Sequence, residues 1–189
     1  LYSTLINLLL KFAILRTTSS RQMINGNSSS SSSSSSIPSS GSASSLVVEF
    51  GELIQQLNQE PNSTAQNNLL CLSYFSRAIA HCVNQQYEES IQDYTKAIAL
   101  NESSVVYNNR GMSYYSLKKM GEAMRDFNVA IKMKSDYAMP YYNRSLVHEA
   151  QDRIFEAQQD AKRAYLLHSS NKDFQSRYKT LRNIIESML

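Results

Sequence analysis

The chain has 189 residues, a net charge of +3 and 42% hydrophobic residues, which suits a single core of ordinary domain size once a polar N-terminal stretch is set aside. Its small basic excess is scattered rather than gathered into a block, so nucleic-acid binding has little support. Five glycines are poor material for a nucleotide cradle, and neither a nucleophile elbow nor a paired-carboxylate motif occurs, so no catalysis, no cofactor and no metal is expected.

Leu1 to Leu15 is mostly apolar but carries Lys11; Arg16 and Arg21 follow, and no acidic residue occurs before Glu49. Those traits are shared with mitochondrial transit peptides. The run is too short for a membrane span, and no basic residue precedes it as in a secretory signal. The first methionine is Met23, and the favoured expectation is that translation starts there, leaving residues 1–22 as read-through or as the tail of a larger protein. Ser28 to Ser36 is unbroken serine, with too little apolar surface to offset the entropy of ordering it. Residues 1–45 are therefore expected to be a flexible segment, with 46–61 a short amphipathic helix and linker.

In that helix Leu46, Phe50, Leu53, Ile54 and Leu57 share one face, and Pro61 ends it. Asn62, Ser63 and Thr64 supply capping side chains for a long helix running through Leu69, Leu70 and Leu72 into Tyr74.

A repeat then governs the pattern. Tyr74, Ser90, Tyr94, Ala97 and Ile98 return at a step of 33 as Tyr107, Ala123, Phe127, Ala130 and Ile131. Tyr107, Gly111, Ala123, Ala130 and Ile131 return at a step of 34 as Tyr141, Ser145, Ala157, Ala164 and Tyr165, with Ala161 in the place of Phe127. Small and large residues recurring in order at this period resemble the tetratricopeptide repeat. The resemblance covers roughly residues 71–171 and is clearest in Tyr107-Asn108-Asn109-Arg110-Gly111 and Tyr141-Tyr142-Asn143-Arg144-Ser145. It implies an all-α superhelix of three helix pairs, spanning 71–103, 104–137 and 138–171 within a repeat region of 62–171. Small residues (Ala78, Gly111 and Ser145 facing Ser90, Ala123 and Ala157) would stand where paired helices cross, and the tyrosines would fill the wedge between pairs. Phe174, Tyr178, Leu181, Ile184, Ile185 and Met188 mark residues 172–189 as an amphipathic capping helix.

Two thiols, Cys71 and Cys82, eleven residues apart on one helix and so unable to bridge each other, suit a reducing compartment, so a cytoplasmic location is expected, or a mitochondrial one if residues 1–22 belong to the protein. His81 and His148 fall at or beside places where the repeat carries an aromatic ring and are read as packing residues.

The resemblance further implies a concave groove lined by the first helix of each pair, used by a non-catalytic adaptor or scaffold to bind a peptide or helix of a partner protein. Its candidate lining is Phe75 and Ile79 from the first pair, Asn108, Asn109, Met112 and Tyr115 from the second, and Tyr142, Asn143 and Leu146 from the third. The asparagines would bond a peptide backbone, or alternatively tie neighbouring helices together. A second reading has the groove filled by the chain itself, for instance by residues 46–58; a third is an organelle import or assembly factor, or a co-chaperone. Chaperone adaptors of the family clamp a C-terminal carboxylate with basic and amide residues. The matching places here hold Phe75, Ile79, Asn109, Met139 and Asn143, of which only Asn109 fits, so a standard chaperone clamp is not expected.

Overall fold

The computed structural model describes residues 40–59 and 63–188; the expectations for the apolar start and the serine run fall outside them. Every element among the described residues is a helix: α1 (Ser40–Leu57), α2 (Thr64–Val83), α3 (Tyr87–Leu100), α4 (Ser104–Ser116), α5 (Met120–Met133), α6 (Ala138–Ala150), α7 (Ile154–Leu167) and α8 (Lys172–Met188). None is long and apolar enough to cross a membrane.

The N-terminal boundary differs from the composition-based one. Helix α1 starts at Ser40, inside the expected 1–45 segment, because Ala43 already belongs to the buried face that continues through Leu46, Phe50, Leu53, Ile54 and Leu57. A helix nucleated on that stripe carries flanking serines with it, and Ser45 Oγ donates to Glu49 at 2.8 Å. Ser63 caps α2 by accepting the Gln66 N–H at 3.2 Å, and the Gln66 side chain donates to the Leu57 carbonyl. At the other end Asn84 donates to Ser44 at 3.4 Å, so α1 lies antiparallel along α2, as a preceding helix of the stack would.

A single core was expected, but the described chain divides into two compact units, the first ending at Asn101 and the second beginning at Glu102. Stacked helix pairs touch only their neighbours, so apolar clusters form pair by pair. The first unit holds α1, α2 and α3 around Phe50, Leu57 and Leu70. The second holds two complete pairs, α4/α5 and α6/α7, closed by α8.

Within each pair the small residues at the crossing are buried: Ala78 and Ser90, Gly111 and Ala123, Ser145 and Ala157. A Cβ on Gly111 would come within 2.6 Å of Phe127 Cε1, so the phenyl ring, rather than Ala123 alone, is what Gly111 accommodates. The tyrosines expected to fill wedges are only half-buried. The turns inside the pairs share one geometry: Gln85, Lys118 and Asp152 take φ of 62°, 61° and 57°, a left-handed conformation costing an L-residue about 1–2 kcal/mol. Each is closed by a matching backbone bond, Gln86 to His81, Lys119 to Tyr114 and Arg153 to His148, at 2.8–2.9 Å.

The third pair is completed from outside. Where Ala161 replaces the ring of Tyr94 and Phe127, the wholly buried Leu181 of α8 enters, with Tyr178 and Ile184 around it. Helix α8 also continues the phase of the repeat, since Phe174, Arg177 and Tyr178 follow Tyr141, Arg144 and Ser145 at a step of 33. Tyr178 thus occupies the place where a small residue admits a second helix, and its ring stacks on Tyr165 at 5.8 Å. The Gly111→Ala variant is expected to lose about 1–3 kcal/mol of unfolding stability in a urea titration, even though alanine is the better helix former by about 1 kcal/mol. A variant more stable than the parent would show that the Phe127 ring has room to move.

Candidate functional site

The first helix of each pair is held by a charged fork that the sequence reading missed. Arg77 grips Asp93 through Nε and Nη2 at 2.6 and 2.7 Å, Arg110 grips Asp126 at 2.8 and 2.9 Å, and Arg144 grips Asp160 at 2.7 Å through both nitrogens. Asp93, Asp126 and Asp160 are buried, and each carboxylate raises the pKa of its arginine, chiefly by hydrogen bonding. Each guanidinium also sits over the repeat tyrosine one turn earlier, Tyr74, Tyr107 or Tyr141, at 5.4–5.7 Å. Bidentate geometry and an aromatic face together are what arginine supplies and lysine does not.

The two histidines read as packing residues join this arrangement. His81 Nε2 lies 3.7 Å from Asp93 and its Nδ1 is 3.0 Å from Gln86 Oε1. His148 Nε2 lies 3.5 Å from Asp160, but Arg153 stands where Gln86 would, and the buried Nδ1 has no partner. Burial first, and then the Arg153 charge, hold the His148 pKa below its ordinary value.

On the first unit, Phe75 packs its ring 6.0 Å from Tyr94, and Ile79 packs against the α1 cluster. Both are half-buried, and part of the expected surface is therefore used by the chain's own helix.

On the second unit the amides divide their roles. Asn143 and Asn108 are both buried, and Asn143 Nδ2 donates to Asn108 Oδ1 at 2.9 Å, tying α4 to α6. Asn108 Nδ2 in turn donates to Asn109 Oδ1 at 3.3 Å. Asn108 and Asn143 are thus spent within the fold, while the half-buried Asn109 keeps its own Nδ2 hydrogens for another acceptor. Met112 and Tyr115 are half-buried against the cluster of Ala123, Phe127 and Val147, with Lys118 Nζ 5.7 Å from the Tyr115 ring. Tyr142 lies between the Phe174 ring at 5.2 Å and the Arg177 guanidinium at 5.7 Å. Leu146 is half-buried, and Val105 and Met139 on the same two helices are 40% and 37% exposed. No group of three or more metal-ligating side chains comes together among the described residues.

The family model of the tetratricopeptide repeat matches residues 105–137, the α4/α5 pair just described. Residues 105–137 thus form one tetratricopeptide repeat. The chain is 33% identical over 90 residues to the heat shock protein STI1 of Saccharomyces cerevisiae, a match covering 47% of this chain and 15% of that protein; the chain thus spans a small part of that relative. The Arabidopsis OM64 tetratricopeptide domain superposes with a TM-score of 0.59 at 25% identity, covering 62% of this chain and 98% of that one. The second such domain of human RPAP3, solved in complex with the HSP70 peptide SGPTIEEVD, gives 0.57 at 25% identity over 61% and 98%.

Two measurements check the electrostatics of these repeats. Asp126→Ala, which strands Arg110 without its carboxylate, is expected to cost about 3–5 kcal/mol, whereas Arg110→Met with Asp126→Leu recovers most of that loss; equal losses in both would refute the fork as the cause. Because His148 titrates below its unfolded value of about 6.5, its neutral form stabilises the fold above that pH, and this contribution is lost as pH falls. His148→Tyr, the residue found in the middle repeat, is expected to show a smaller drop in urea midpoint between about pH 7 and 5 than the parent; an unchanged drop would mean that His148 does not carry it.

Proposed function

We propose that the chain is a non-catalytic adaptor or scaffold module that receives a peptide segment of a partner protein on the first helices of its repeats. The observation that carries this reading is the surface of α4 and α6: exposed Val105 and Met139, half-buried Met112, Tyr115, Tyr142 and Leu146, and an Asn109 amide with hydrogens to donate. Apolar patches beside a fixed polar handle are what an extended peptide requires, side chains for the pockets and backbone for the amide. That the RPAP3 domain is solved with a bound peptide supports a peptide as the class of ligand.

The holding mode differs from the carboxylate clamp of the family's chaperone adaptors. Of the five matching places, Asn109 alone carries the fitting residue; Phe75 and Ile79 are apolar, Met139 is uncharged, and Asn143 is buried in its bond to Asn108. On the first unit, the packing of Ile79 against the α1 cluster favours the second reading, in which the chain covers its own surface. The full chain and a Met112→Glu, Leu146→Glu variant of equal helicity, both immobilised and exposed to native lysate, separate the possibilities. Proteins retained by the parent and released by the variant are the expected result; identical captures, or none, would overturn the receptor reading.

A further inference from the structure

Helix α8 does more than cover α7. Because it keeps the phase of the repeat, Lys172, Ser176 and Lys179 prolong the rows that run Val105–Met139, Asn109–Asn143 and Met112–Leu146 along α4 and α6. The seam between α6 and α8 fixes that rotation: Phe174 lies against Tyr142 at 5.2 Å, and Arg177 donates to Ser145 at 2.6 Å and to Glu149 at 2.9 Å. Lys172, Ser176 and Lys179 remain exposed beside this seam, and neither lysine is paired with a carboxylate among the described residues. The α6 carboxylate one turn beyond Leu146, Glu149, is already paired with Arg177. The face is thus apolar with one amide on α4 and α6, and cationic on α8.

We propose that the ligand of this face is an extended peptide in which a short apolar stretch is bordered at one end by acidic side chains, the apolar residues lying against Met112, Met139 and Leu146 and the acidic ones against Lys172 and Lys179. This rests on the receptor reading above and adds a polarity to it. The carboxylates read in this way are side chains, so a free peptide C-terminus is not required. Exposed lysines contribute modestly to affinity but steer an acidic partner and reject a basic one, and that discrimination weakens as salt rises.

The test uses the full chain and fluorescein-labelled peptides of about 12 residues, blocked at both termini, each with a Leu/Met/Phe stretch bordered on either side by Asp/Glu, by Lys or by Ser. Acid-bordered peptides are expected to bind at least about tenfold more tightly than the others at low salt, and freeing their C-terminal carboxylate should change binding by less than about twofold. The Lys172→Glu, Lys179→Glu variant, altered only at exposed sites and checked for helicity, should come to prefer the Lys-bordered peptides. Equal binding of acidic and basic peptides, or a preference that survives the charge reversal, overturns this inference while leaving the receptor reading intact, provided that Met112→Glu with Leu146→Glu still abolishes binding. If none of the peptides binds the parent, the receptor reading and the inference fall together.

Discussion

The rest of the architecture hangs on the buried arginine–aspartate fork that joins the two helices of every pair. Taking an aspartate out of water is costly unless a well-formed partner meets it, and here the partner is a guanidinium clamped from behind by a tyrosine ring one turn earlier. The fork sets how the first helix is rotated against the second. At 3.6 residues per turn, Met112 lies on the side of α4 opposite Arg110, and Leu146 bears the same relation to Arg144. The face that carries Met112 and Leu146 is therefore fixed from its back side, by the fork.

Arg177 shows the same rule under different circumstances. It stands at the arginine place of the repeat, but on α8 it turns to Ser145 and Glu149 of the preceding first helix. What joins the two helices of a pair elsewhere here joins one first helix to the next. The amide relay from Asn143 through Asn108 to Asn109 makes the corresponding link between α6 and α4. Hydrogen-bonded chains of this kind polarise one another, so the amide left at the surface is oriented by two buried ones.

The period and the small residues made the helix pairs legible, because Gly111, Ala123 and Ala157 can recur in register only if helices approach closely at those points. The fork escaped for a chemical reason: charged residues read singly look solvated, and only their shared step with the tyrosines, Arg77, Arg110 and Arg144 against Asp93, Asp126 and Asp160, identifies them as internal. Phase placed Asn108, Asn109 and Asn143 near one face but could not say which would bond inward, since adjacent positions straddle the seam between helices. The early start of α1 stayed hidden because composition assigns its serines to a tail, although Ala43 already belongs to the buried face. The register of α8 stayed hidden behind Tyr178, a bulky residue where the pattern asks for a small one.

That tyrosine also determines how such an array can be lengthened. A helix pair appended beyond α8 would have to seat its partner against a phenol ring, whereas Leu181 docks against Ala157 and Ala161 and Phe174 against Ala138 and Ala164, alanines that another preceding pair could equally offer. New pairs are thus accommodated ahead of α8, which would ride outward with Lys172 and Lys179 in place. The number of pairs and the position of the charge are set by separate parts of the chain, like a ruler whose graduations can be multiplied while its end mark stays the same.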